Sequence, residues 1–137
     1  RGDFVKALAN MDGVDLSGYT GETAFQDVDP AVYYAKAIQW ANSMGYINGV
    51  SATAFEPEEP ISREAMCVIL MKYGNLSAGN SNAFADDSEI SSWAREAVYA
   101  CRDAGLISGV GNDRFDPQGY TERAAACKVF ANYYERY

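Results

Sequence analysis

The chain contains no histidine. Ser-His-Asp and Cys-His catalysis are thereby excluded, as is every zinc site built on an imidazole. Cysteine is nearly as scarce: Cys67, Cys101 and Cys127 are the three in 137 residues, and no Cys-x-x-Cys pair occurs. Such usage makes neither a disulfide scaffold nor a zinc knuckle nor a thioredoxin-type motif, and the odd count leaves one thiol outside any internal pair. The simplest reading of all three is as small buried hydrophobes. Basic residues are outnumbered 11 to 19, for a net charge of −8. That balance disfavours non-specific attachment to nucleic acid, which needs a Lys/Arg surplus. No apolar run approaches the roughly 18 residues that cross a bilayer, so no membrane insertion is expected. No basic segment with an apolar stretch opens the chain, so an export signal would lie outside it.

What remains is 48% hydrophobic and 13% aromatic, ordinary for a packed globule and too apolar for a disordered tail. The length fits one domain, or a few small repeats sharing one core. Internal similarity favours the second. Phe25-Gln-Asp27 returns as Phe84-Ala-Asp86, Gly45-Tyr-Ile-Asn-Gly49-Val50 as Gly105-Leu-Ile-Ser-Gly109-Val110, Phe55-Glu-Pro57 as Phe115-Asp-Pro117, and Arg63 as Arg123. From Tyr33 onward the offset is a constant 60, and Cys67 and Cys127 obey it. A third, partial copy opens the chain, where Arg1-Gly-Asp-Phe4 aligns with the stretches from Arg63 and Arg123. Fixed-period similarity is the mark of a repeated supersecondary unit. The expected division is 1–20 for the back half of repeat one, 21–78 for repeat two and 79–137 for repeat three. A preceding segment or another chain is expected to complete repeat one.

Each full unit reads helix, loop, helix. In repeat two, Asp29-Pro30 offers an N-cap and first-turn pair. Tyr33, Ala37, Trp40 and Met44 then form a stripe, and Gly45 supplies a left-handed stop. Repeat three offers Ser91 or Ser92, then Trp93, Ala97, Ala100, Ala104 and Gly105. The second helices are predicted to start near Gly2, Ser62 and Thr121, with stripes Phe4/Ala7/Leu8/Met11, Met66/Ile69/Leu70/Tyr73 and Ala126/Val129/Phe130/Tyr133. Their wide apolar arcs suit an interior position, which such repeats reach only by packing on one another.

Taken in order, Phe84-x-Asp86, Trp93, Ala104-Gly-Leu-Ile-Ser-Gly109, Arg114-Phe-Asp-Pro117 and Thr121-Glu-Arg123 resemble the S-layer homology repeat. Repeat two carries the same set as Phe25-x-Asp27, Tyr33, Gly45-Tyr-Ile-Asn-Gly49, Phe55-Glu-Pro57 and Ile61-Ser-Arg63-Glu64. The resemblance implies an all-α fold, with three repeats forming a pseudo-threefold prism around a central helical bundle. It also implies a non-catalytic module that anchors an exported bacterial protein at the cell surface. The implied partner is a secondary cell-wall polysaccharide, often a pyruvylated one, and no cofactor or metal is implied. Grooves between adjacent repeats would bind it through Arg1, Arg63 and Arg123, Asp27 and Asp86, Tyr33 and Trp93, and Gly49 and Gly109. The pairing expected to be best preserved is Arg63 with Asp86 and Trp93.

Elementary chemistry suits these roles. A guanidinium is a planar fork for carboxylates, a helix start favours anions, and an aromatic face suits a sugar ring. Other readings of the same residues stay open. Arg63 and Arg123 could pair with Glu64 and Glu122; Asp27 and Asp86 could cap turns; Trp93 could lie in the core; the glycines could be helix stops. The sequence also departs from the family. Tyr33 replaces Trp, Glu122 sits beside Arg123, and the acid two places after the Arg survives only as Asp3. An interaction or assembly module that keeps the fold without binding sugar is the alternative function. An enzyme is disfavoured because no carboxylate pair stands apart from the other acids. Neither Asp12-Gly-Val-Asp15 nor Asn112-Asp-Arg-Phe-Asp116 has the ligand spacing of a calcium loop.

Overall fold

The computed structural model describes residues 1–79, 83–107, 109–121 and 128–133. Among them the regular elements are helices, and the extended pairing is limited to isolated bridges. The helices are α1 (Gly2–Asp12), α2 (Ala35–Ser43), α3 (Arg63–Gly74) and α4 (Arg95–Asp103), with single 3-10 turns at Leu16–Gly18 and Asp87–Glu89. Residues 128–133 are also helical. The chain forms two compact units, Arg1–Pro60 and Ile61–Tyr137. Each joins the helix that closes one sequence repeat to the front half of the next.

In the first unit α1 packs on α2, and Val5, Leu8, Ala37 and Ile38 are fully buried. In the second, α3 packs on α4, with Cys67, Leu70, Val98 and Leu106 at 0% exposure. Each Leu or Ile side chain so enclosed contributes about 1.5–3 kcal/mol of apolar burial. Val5 and Cys67, which share a repeat position, sit at equal depth, whereas Cys127 lies outside the described residues.

Ser62 caps α3 as its sequence predicts. Its Oγ accepts the Ala65 N–H at 3.2 Å, and the helix stops at left-handed Asn75. The helices α2 and α4 also end where expected, with Gly45 at φ 81° and Gly105 at φ 74°, but they begin late. The Asp29 carboxylate accepts the Ala31 N–H at 2.9 Å in a local turn, and α2 starts only at Ala35. An Asp side chain can satisfy a turn as well as a helix start, so the Asp-Pro signal was met without a helix. The buried stripes therefore run through Tyr34, Ala37, Ile38 and Ala41, and through Ala94, Ala97, Val98 and Cys101. Tyr33 and Trp93 stand outside them, each 63% exposed.

The Cys101 thiol faces the Cys67 carbonyl oxygen at 3.5 Å, and both thiols are free and buried. Burial and the neighbouring thiol push the Cys67 group well above the ordinary range. Both should therefore react with a thiol reagent only after unfolding. Native-state labelling of Cys67 and Cys101, followed by peptide mass mapping, checks this; modification as fast as that of a free thiol would contradict it.

Candidate functional site

The two recurrent motifs, Phe-x-Asp and Phe-x-Pro, are halves of one clamp. In the second unit the Phe84 and Phe115 rings lie 5.3 Å apart. The Asp86 carboxylate then accepts the N–H groups of Phe115 and Asp116, both at 2.8 Å. The first unit repeats this with Phe25 and Phe55 at 5.4 Å. There Asp27 accepts from Phe55 at 2.9 Å and Glu56 at 2.8 Å. The middle residues of the Phe-x-Pro turns, Glu56 and Asp116, have φ of 57° and 60°. That conformation disfavours a side chain, and the carboxylate of the clamp holds the N–H of the strained residue in both copies.

Asp86 is 2% exposed, whereas Asp27 lies open to solvent. The cover over Asp86 includes Arg114, at 3.8 Å; its counterpart is Ala54. Burial alone would raise both carboxyls. The backbone N–H groups outweigh it and hold both below the usual carboxylate range, with Arg114 assisting at Asp86. A depressed folded value means stability that is present above the unfolded value, about 3.9 for Asp, and lost as pH falls through the folded value. The folded state should weaken as pH drops below about 4. In Asp86→Asn that acid-side loss should be smaller, as checked by urea titrations at stepped pH.

Arg63 meets the same turn from the other side. Its Nε–H donates to the Phe115 carbonyl oxygen at 2.8 Å, and its guanidinium lies 4.8 Å from the centre of the Phe115 ring. Arg63 and Asp86 thus hold the C=O and the N–H of one residue. The backbone of α3 joins in, with the Arg63 N–H on Gly119 O at 2.8 Å and the Glu64 N–H on Pro117 O at 3.1 Å. Arg63 thus meets the turn of the repeat that follows it in the sequence. Beside this junction lies a cavity of about 320 Å³, lined by Arg63, Met66, Leu106, Gly109, Lys128 and Asn132 among others.

The other candidates fall as follows. At Gly49 and Gly109 the chain itself makes the close approach. A Cβ on Gly49 would lie 2.3 Å from Ala54 O, and one on Gly109 would lie 2.6 Å from Arg114 O. In the first unit the Tyr33 hydroxyl donates to Asp3, in the opening turn of α1. The Arg1 Nε is buried without an acceptor among the described residues. Arg123 lies outside the described residues. Three residues stand here that were not among the expected site residues: Lys128 on the cavity, Arg114 over Asp86, and buried Glu64. Comparing the repeats marks the last two, since Arg114 replaces Ala54 and Glu64 replaces Gly2.

Residues 24–67 and 83–127, which include both clamps, each match the S-layer homology domain. The chain belongs to this family. It resembles an amylopullulanase of Thermoanaerobacterium thermosulfurigenes, at 32% identity over 99% of the chain and 8% of that protein. The exoglucanase XynX of Acetivibrio thermocellus is 30% identical over 99% of the chain and 13% of its own length. The S-layer protein EA1 of Bacillus anthracis is 30% identical over 81% of the chain and 13% of its own length. The chain thus spans only about a tenth of these relatives. The region shared by S-layer proteins and by enzymes is the S-layer homology module, and the clamps and the Arg63 junction belong to it. Among the described residues no helix is long and apolar enough to cross a membrane.

Proposed function

We propose that this S-layer homology module is a non-catalytic anchor. It would hold an exported bacterial protein at the cell surface by binding a secondary cell-wall polysaccharide. The observation that carries the reading is the Arg63 junction, where a guanidinium borders a cavity that Lys128 also lines. In a chain of net charge −8, two cations on one cavity create a local site for an acidic sugar such as a pyruvylated one. Trp93, exposed one repeat after Tyr33, offers a face for a sugar ring. The threefold prism implied by the family belongs to the same proposal.

Co-sedimentation with purified cell walls tests the anchor. The chain should pellet with intact walls and stay in solution once the secondary polysaccharide has been extracted; equal pelleting with both would overturn the sugar reading. A protein-contact role has one observation in its favour. Val50 and Val110, at the same position of the two repeats, are 48% and 56% exposed.

A further inference from the structure

Glu64 is 4% exposed in the first turn of α3, next to Arg63. A buried carboxylate is costly unless its oxygens are hydrogen-bonded. Here Ser91 serves both, and the Gln118 side-chain amide adds a longer bond to Oε1 at 3.5 Å. The Ser91 N–H donates to Oε2 at 2.9 Å and the Ser91 hydroxyl donates to Oε1 at 2.7 Å. Ser91 opens the turn that carries Trp93, closed by the Ala94 N–H on Ser91 O at 2.9 Å. The carboxylate therefore ties the turn bearing the exposed indole to the helix start bearing the guanidinium.

The first unit makes the equivalent join with different chemistry. Gly2 stands in place of Glu64, and Tyr34 in place of Ala94. A Cβ on Gly2 would lie 2.6 Å from the Tyr34 ring, which is itself 4% exposed. The ring thus fills the room beside the opening turn of α1. In the second unit Ala94 is too short to do so, and Glu64 is the large partner. The pair exchanges as a set: small on the helix with large on the turn, or the reverse. In the first unit the neighbouring aromatic also reaches the helix start, through the Tyr33 hydroxyl on Asp3. Position 65, the counterpart of Asp3, is alanine, so Trp93 lacks a carboxylate at that place, and the tie through Ser91 does the positioning.

We propose that Glu64 is a positioning residue that fixes the Trp93 turn against the first turn of α3, holding aromatic face and guanidinium together for the ligand. This rests on the anchoring reading. The tie needs the shape of a carboxamide or carboxylate rather than its charge, because a glutamine can accept the Ser91 N–H while donating to the Ser91 hydroxyl.

The chain contains two tryptophans, Trp40 and Trp93, so a Trp40→Phe background makes Trp93 the sole reporter. Time-resolved anisotropy then reads nanosecond motion of the turn, and wall co-sedimentation reads affinity. Glu64→Ala should at least double the fast, local part of the Trp93 anisotropy decay and weaken wall binding about tenfold. Glu64→Gln should restore both to within about twofold of the parent. Glu64→Gly combined with Ala94→Tyr, which imports the first unit's solution, should restore the anisotropy. This arm decides the matter even if Glu64→Ala fails to fold. Native anisotropy in Glu64→Ala, a Glu64→Gln variant as mobile as the alanine, or a mobile Trp93 in the exchanged pair would each overturn the proposal. Wall binding unchanged in Arg63→Ala and Trp93→Ala would instead overturn the anchoring reading, leaving the anisotropy arms to judge the tie.

Discussion

Arg63→Ala is expected to weaken binding to purified cell walls roughly tenfold to a hundredfold, the loss of one charge-assisted contact worth ~1.5–3 kcal/mol. The variant should keep its helical content, because the start of α3 is secured by Ser62 and by backbone bonds to Pro117 and Gly119. It should also lose some stability, since the same side chain bonds to Phe115 O and stacks on the Phe115 ring. Arg63→Lys separates the two effects. It retains a cation over the ring but loses the planar fork and the Nε–H, so it should recover only part of the affinity. Wall binding equal to the parent in both variants would shift the function to protein contacts. Melting curves beside the co-sedimentation keep a folding defect from being mistaken for lost binding.

The largest expected change in stability is at Asp86. Replacing it by alanine strands two backbone N–H donors, a buried one at Phe115 and a part-buried one at Asp116. It also removes the carboxylate beside Arg114. Unsatisfied buried donors cost about 1–3 kcal/mol each, so a loss of ~3 kcal/mol and a fall in Tm on the order of 10 °C are expected. Asp27→Ala removes the same two bonds at an open position where water can replace them, and should cost less than half as much. Equal losses at the two positions, measured by thermal and urea unfolding, would show that burial does not set the difference.

What could be read from the sequence was what is decided over a few residues. The start of α3 follows from Ser62 and its hydrogen bond three residues on, and the ends of α2 and α4 follow from glycines in left-handed backbone. The beginnings of α2 and α4 were misplaced because Asp29 satisfies a turn with the same chemistry that starts a helix. The functional residues were hardest where their partners lie far along the chain. The repeat singled out Asp86, but its role depends on donors 29 and 30 residues away. Glu64 looked like a partner for Arg63; its carboxylate instead accepts from Ser91, 27 residues on. A local pattern carries no record of such closures, whereas the paired exchange of Gly2 and Tyr34 for Glu64 and Ala94 does, once the copies are compared.

The compact units and the sequence repeats run out of step: the units break at Pro60, between the loop and the second helix of a repeat. Duplication and folding therefore count in different frames with the same period. Copying one whole period, wherever the cut falls, adds one complete clamp and one complete helix junction, because every half that is split off is matched by the half that is gained. An engineer who trims the chain at the visible repeat boundaries would, by contrast, sever a helix from the turn it serves.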